Sequence, residues 1–170
     1  EPQAIQSVEN SKNSISEEVV AFAPAFDVPS LIQNAGITTK DGVQMVERIS
    51  DEGRVAYQWK SDSGIFGSAH QIRIDSTGSF DDYARDYLSK TEARCNGDFA
   101  IVPAMTKQLG QTRIDSYEIA CVGNDVSSSA SIVFFNKGDT FTVIANEADT
   151  SAMEMAMDAR DKIVSSVGRT

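Results

Sequence analysis

The sequence Ser131-Ile-Val-Phe-Phe-Asn-Lys-Gly-Asp-Thr-Phe-Thr-Val-Ile-Ala-Asn146 decides the fold of this chain. It contains two runs rich in β-branched and aromatic residues, divided by a polar turn from Asn136 to Asp139. Such residues favour strands, and a short turn that contains glycine joins antiparallel neighbours. The stretch therefore predicts a β-hairpin. It closes a longer run of three or four strands that begins near Cys95 and ends near Glu147.

The run upstream of this hairpin predicts two further strands. Segments 99–105 and 113–121 are rich in β-forming residues and are separated by a polar turn that contains Gly110. Proline cannot donate a ladder hydrogen bond, so Pro103 indicates an edge strand or a bulge.

Three more strands are expected earlier in the chain, where apolar and polar residues alternate. Segments 43–49, 55–60 and 68–74 show the two-residue period of a strand. Polar turns with Gly53 and Gly64 separate them, so we expect a three-stranded meander.

A helix follows this meander. Ser79 is a suitable N-cap, and Asp82 lies three residues later, as in a capping box. The residues that share one stripe of this helix are Phe80, Tyr83, Ala84, Tyr87, Leu88 and Thr91. We expect the stripe to pack on a sheet and Gly97 to end the helix in a left-handed conformation.

A second amphipathic helix is expected to begin at residues 150–151, with Ser151 and Glu154 as its capping box. Its apolar stripe consists of Ala152, Ala156, Ala159 and Ile163, and Met155 should stay exposed. A third, shorter helix is expected over residues 29–35, after Asp27 as a cap and before Gly36.

Strands, a helix, more strands and a final helix follow one another along the chain. This order favours an α+β fold, an antiparallel β-sheet with two main amphipathic helices packed on it, over a parallel doubly wound fold. Residues 1–18 are polar and are interpreted as a flexible leader, and residues 19–170 as a single domain. Segment 19–26 is expected to be an edge strand or an extended cover of the core.

The two cysteines, Cys95 and Cys121, are expected at the end of the first main helix and on a strand of the sheet. A disulfide between them would tie helix to sheet and add roughly 3 kcal/mol. A pair of unlinked core thiols is the alternative. A redox role is disfavoured, because the spacing is far from Cys-x-x-Cys.

The charge balance disfavours several partners. The chain has 15 Lys and Arg, 25 Asp and Glu, and a net charge of −10, which repels nucleic acid and anionic membranes. No run is long enough for a membrane span. The leader could still carry an N-terminal anchor or tether. No cofactor is expected, and no metal-ligand spacing is present.

Five residues are candidates for a ligand cleft between helix and sheet: Tyr57, Trp59, His70, Tyr83 and Tyr87. They could equally be core residues. His70 is the only histidine, so a hydrolase based on an imidazole and carboxylates would have to use it. No nucleophile motif accompanies it, and we predict no catalytic residues.

The helix that begins Ser79-Phe-Asp-Asp-Tyr-Ala after a meander, the strand Phe141-Thr-Val-Ile-Ala and the ending Asp161-Lys-Ile-Val-Ser-Ser166 together resemble the PsbP/Mog1-like α/β sandwich over residues 40–167. The resemblance rests on element order and spacing. It implies a fold whose members are mostly non-catalytic accessory or exported proteins, and it transfers no functional residues.

The sequence thus predicts an exported, non-catalytic accessory or binding protein of the bacterial envelope, periplasmic or secreted. It would act through a surface for a partner protein or a small ligand. The alternatives are a small hydrolase that uses carboxylates and His70, and an acidic inhibitor or immunity protein.

Overall fold

Seven antiparallel strands form one sheet in the order β1-β2-β3-β7-β6-β5-β4. The computed structural model describes residues 24–49, 53–74 and 78–169. The strands are β1 (Thr39–Ile49), β2 (Arg54–Ser61), β3 (Phe66–Arg73), β4 (Asp98–Leu109), β5 (Thr112–Val122), β6 (Ser127–Lys137) and β7 (Thr140–Asp149). The helices are α1 (Val28–Asn34), α2 (Phe80–Ala93) and α3 (Met153–Val167). The predicted α+β class is confirmed.

The predicted hairpin is present as β6 and β7. Lys137 pairs with Thr140, and Gly138 between them has a φ of 61°, a conformation that glycine adopts without strain. Residues 129–135 of β6 and 140–146 of β7 are buried without alternation. Both faces of the sheet are therefore covered at its centre.

Helix α2 packs on part of one face of the sheet. The Ser79 hydroxyl accepts a hydrogen bond from the Asp82 N–H at 3.2 Å, which confirms Ser79 as the N-cap. Phe80 packs against Phe141 with ring centroids 5.6 Å apart, and Tyr87 packs against Phe134 at 5.7 Å. The aromatic stripe thus faces the sheet as the helical period predicts.

Helices α1 and α3 cover the opposite face. Their buried residues form one core with side chains from five strands: Val28, Leu31, Ile32, Ile163, Val164 and Val167 from the helices, and Val55, Tyr57, Trp59, Ala69, Ile114, Val133, Phe135 and Ile144 from the sheet. The carboxylate of Asp27 caps α1 by accepting from the Ser30 N–H at 3.3 Å, and Gly36 follows α1 with a φ of 77°. The molecule therefore has three layers.

Two local predictions are wrong. The segment Thr150–Ala152 forms a 3₁₀ turn, and α3 begins after Ala152 with no side-chain cap, so Ser151 and Glu154 do not form a capping box. The turn is positioned instead from β6, because the Ser129 hydroxyl lies within hydrogen-bond distance of the carbonyl oxygens of Ala148 and Asp149.

Gly97 is the second correction. It is absent from the glycines with positive φ, so it does not end α2 in a left-handed conformation. A Cβ at this position would overlap the backbone of Val122. The glycine is needed here for the close approach of two chain segments. Pro103, by contrast, lies on the edge strand β4 beside a register shift, as predicted.

The predicted leader, residues 1–18, lies outside the described residues, as does most of segment 19–26. Phe26 at its end exchanges two hydrogen bonds with the Gln71 side chain, at 3.1 and 2.7 Å, and its ring lies 5.6 Å from that of Phe135. The described end of the segment thus contacts the core through Phe26, and it forms no strand. In the described ranges, no helix combines the length and the apolar character that crossing a bilayer requires.

Candidate functional site

A groove of about 770 Å³ lies between α2 and the half of the sheet that α2 leaves uncovered. Most of its floor comes from β2, β3 and β7, where the small side chains of Ala56, Ser68 and Val143 lie among larger ones such as His70 and Phe141. Its helix wall carries larger side chains, including Tyr83, Tyr87, Lys90 and Arg94. The groove thus lies between the aromatic residues of the helix and a mixed floor of small and large side chains.

Charged groups of both signs surround the groove. Glu47 from β1, Arg54 from β2, Glu147 from β7 and Arg94 after α2 all line it. Desolvation raises the pKa of the Tyr87 hydroxyl, and the charge of Glu147 raises it further. The phenol is therefore a neutral hydrogen-bonding group at physiological pH.

His70 lies on the groove floor, opposite Ala56 on β2 and Val143 on β7. Desolvation lowers its pKa, Glu47 opposes that shift, and Arg54 and Arg94 add to it. The lowered pKa favours the neutral imidazole, which has one donor and one acceptor nitrogen, although the side chain remains exposed at the groove.

An NMR titration should show this directly, because His70 is the only histidine in the chain. We expect the ring protons to titrate below the ordinary pKa of about 6.5. Since the folded pKa is the lower one, the unfolded chain binds more protons, and this contribution to stability is lost as pH falls below about 6.5. In His70→Gln the contribution should be absent. A titration at or above the ordinary value would contradict the prediction.

The five predicted cleft residues do not form one site. His70, Tyr83 and Tyr87 line the groove. Tyr57 and Trp59 are buried in the core on the opposite face, under α1 and α3. Tyr57 is paired with Ala69, so these two side chains point to the same face of the sheet. His70 is the next residue after Ala69 and therefore points to the opposite face.

Several groove residues were not identified from the sequence. Glu47, Ser68, Arg94 and Glu147 come from four separate segments and belong to no motif. Only the strand pairing, above all that of β3 with β7, brings them together. The periodic pattern of a single strand or helix predicts which face a residue points to. It does not predict which residues of different segments become neighbours.

A disulfide joins Cys95 to Cys121, with the Cα atoms 5.7 Å apart, as the sequence predicts. Cys95 follows the end of α2, and Cys121 lies on β5 between Phe99 of β4 and Ser128 of β6. Both cysteines line the groove. The bond therefore fixes the end of the helix wall to the sheet.

The hydrolase alternative would pair His70 with a carboxylate. Within the part of the chain that the structure describes, His70 forms no hydrogen bond or ion pair with a carboxylate, and Glu47 acts on it only through its charge. Nor does any group of three His, Cys, Asp or Glu side chains in these ranges form a candidate metal site.

The fold and groove define an α+β protein with a seven-stranded antiparallel sheet between helical layers. No protein family matches the chain by sequence, and no curated protein matches it either. Among solved structures, it is similar to PA94 of Pseudomonas aeruginosa, a protein of unknown function, with a TM-score of 0.48 and 12% identity over 72% of this chain and 93% of that one.

A second solved structure with a similar arrangement is LpqN of Mycobacterium tuberculosis, which is involved in cell envelope biogenesis. Its TM-score is 0.41, with 10% identity over 75% of this chain and 78% of LpqN. Neither structure is described as a PsbP/Mog1-like protein, so that resemblance stays a prediction.

Proposed function

We propose that this chain is a binding protein that holds a small amphipathic ligand in the groove beside α2. The observation that carries the proposal is the groove itself. Its volume of about 770 Å³ lies within the range that small-molecule sites occupy. Aromatic and apolar walls combined with a few polar groups are typical of such sites.

The lining indicates the chemistry of the ligand. Tyr83 and Tyr87 offer ring faces and hydroxyl groups on one wall, while Ala56 and Val143 offer an apolar floor. Arg94 is exposed at the end of the wall, where its guanidinium can donate to an anionic group. The groove therefore suits a ligand with a flat apolar body and an anionic or hydrogen-bond-accepting group.

The proposed location of the protein is outside the cytoplasm, in the envelope or in the surrounding medium. The disulfide supports this location, because such bonds form and persist in oxidising compartments and are rare in the cytosol. Both cysteines line the groove, so reduction of the disulfide would release the end of the helix wall from the sheet beside the proposed site.

Binding of 8-anilinonaphthalene-1-sulfonate, which has a flat apolar body and an anionic group, tests the proposal. We expect saturable fluorescence enhancement with the folded chain. Ser68→Trp and His70→Trp should each abolish it, because a bulky ring on the floor fills the groove. Ser165→Trp, on an exposed position of α3 behind the opposite face, is the matched control and should bind as the parent does.

Circular dichroism checks that each variant is folded. The proposal fails if the folded parent gives no saturable enhancement, or if Ser68→Trp and His70→Trp bind the probe as well as Ser165→Trp does. Two independent blocking positions keep the test valid if one of the variants does not fold.

A further inference from the structure

A second pocket, on the opposite face of the sheet, contains a buried polar side chain without a partner. Asn146 of β7 is 1% exposed and lines a cavity of about 480 Å³ beside the first half of α3. Its carboxamide nitrogen and oxygen both lack a hydrogen-bond partner among the residues that the structure describes. Buried amides are normally satisfied, so this group is suited to a ligand that both accepts and donates.

The row of residues across the sheet explains why this space exists. Trp59, Gly67, Asn146 and Ser131 lie opposite one another on β2, β3, β7 and β6. The indole ring of Trp59 lies over Gly67, where any Cβ would overlap it. The buried hydroxyl of Ser131 also lacks a partner in the described part of the chain. Trp59 and Asn146 both line the pocket, so its floor combines an aromatic ring with an unpartnered carboxamide, while Ser131 lies next to Asn146 outside the lining.

The walls of the pocket are acidic. Asp62 follows β2, and Glu154 and Asp158 project from α3, while the one cation among the lining residues, Lys162, is bonded to Asp158 at 3.1 Å. Within the described ranges, Asp62 and Glu154 form no ion pair. Carboxylates beside an aromatic ring attract a cationic group.

We infer that this pocket binds an α-amino amide, either the free amino end of a peptide or an amino acid amide. The ammonium group meets the carboxylates at the wall, and the amide beside it pairs with Asn146 through one donated and one accepted hydrogen bond. In such a ligand the ammonium group and the amide belong to the same residue, so both can enter one pocket. This site is separate from the groove beside α2.

Trp59 is the only tryptophan in the chain and lines the pocket, so its fluorescence reports occupancy. The probe is alanylalaninamide, with alaninamide as a second arm that distinguishes a peptide end from an amino acid amide. We expect saturable changes in emission with at least one of them. N-acetylation removes the ammonium group, and pentylamine lacks the amide, so each should lower the affinity by about tenfold or more.

Two variants with matched controls locate the binding. Asn146→Leu should abolish it while leaving the thermal midpoint of the free chain equal or higher, because an unsatisfied buried polar group is removed. Asn136→Ala, which changes another asparagine with an unpartnered buried oxygen outside this pocket, should bind normally. Glu154→Gln should weaken binding, and Glu92→Gln, on α2, should not.

The inference is overturned if neither amide changes the emission of Trp59, as expected for a pocket that holds only water. Equal binding of the acetylated probe, or of the Asn146→Leu variant, would also overturn it. If Asn146→Leu does not fold, Glu154→Gln at the exposed wall provides the same comparison with Glu92→Gln.

Discussion

Replacing Arg160 with alanine should destabilise the fold by about 3 kcal/mol, because it leaves a largely buried carboxylate without its partner. The Arg160 side chain is 7% exposed and Glu118 is 16% exposed. The guanidinium donates to Glu118 at 2.7 Å and to the Ser116 hydroxyl at 3.2 Å, and thereby joins α3 to β5. The second carboxylate oxygen of Glu118 already lacks a partner among the described residues.

Urea unfolding measures this effect, and two further variants interpret it. Arg160→Met combined with Glu118→Leu should recover most of the loss, since an apolar pair replaces a buried ion pair at little cost. Arg85→Ala is the surface control, because the Arg85–Asp82 pair is 75% and 62% exposed and should contribute less than about 1 kcal/mol. A loss in Arg160→Ala no larger than in Arg85→Ala would refute the prediction.

The second large effect concerns the disulfide. Changing both Cys95 and Cys121 to serine should lower the free energy of unfolding by roughly 3 kcal/mol, since the unfolded chain is no longer constrained across the 26-residue separation. The variant should also bind the anilinonaphthalene probe less tightly, because the end of the helix wall is no longer fixed to β5.

A reducing agent provides the control for this prediction. It should lower the urea midpoint of the parent chain toward that of the serine variant, and it should not change the midpoint of the variant. If the parent has the same midpoint with and without reductant, the disulfide does not stabilise the fold, and its link to the groove loses its support.

Local patterns predicted the elements of this fold well. The capped aromatic stripe that begins at Ser79, the hairpin around Gly138 and the edge strand with Pro103 each depend on residues close in sequence. The pairing of Cys95 with Cys121 also followed, because the helix that ends near one lies over the strand that carries the other.

The candidate sites could not be predicted in the same way, because they depend on which strand faces share a layer. Tyr57 and His70 both lie on well-formed strands, but the register of β2 with β3 places them on opposite sides of the sheet. Nothing in either strand alone fixes that relation. The alternation of apolar and polar residues along each strand therefore could not show whether Tyr57 and His70 line the same cleft.

The burial of certain polar residues is the other feature that the sequence did not predict. Arg160 lies on the buried side of α3, and Asn146 is the last residue of the buried part of β7. In each case the sequence shows a polar residue where the period allows a solvent position. Only the packing of α3 against the sheet shows that both are enclosed.

The pairing of β3 with β7 has a consequence for how the molecule is made. Among the described strands, every other pairing joins neighbours along the chain, as in two separate meanders. Local hairpins close quickly, whereas a pairing across a long intervening loop must first overcome the entropy of closing it. His70 and Val143 meet at this junction, so the groove should be assembled only after the two halves of the newly synthesised chain have docked.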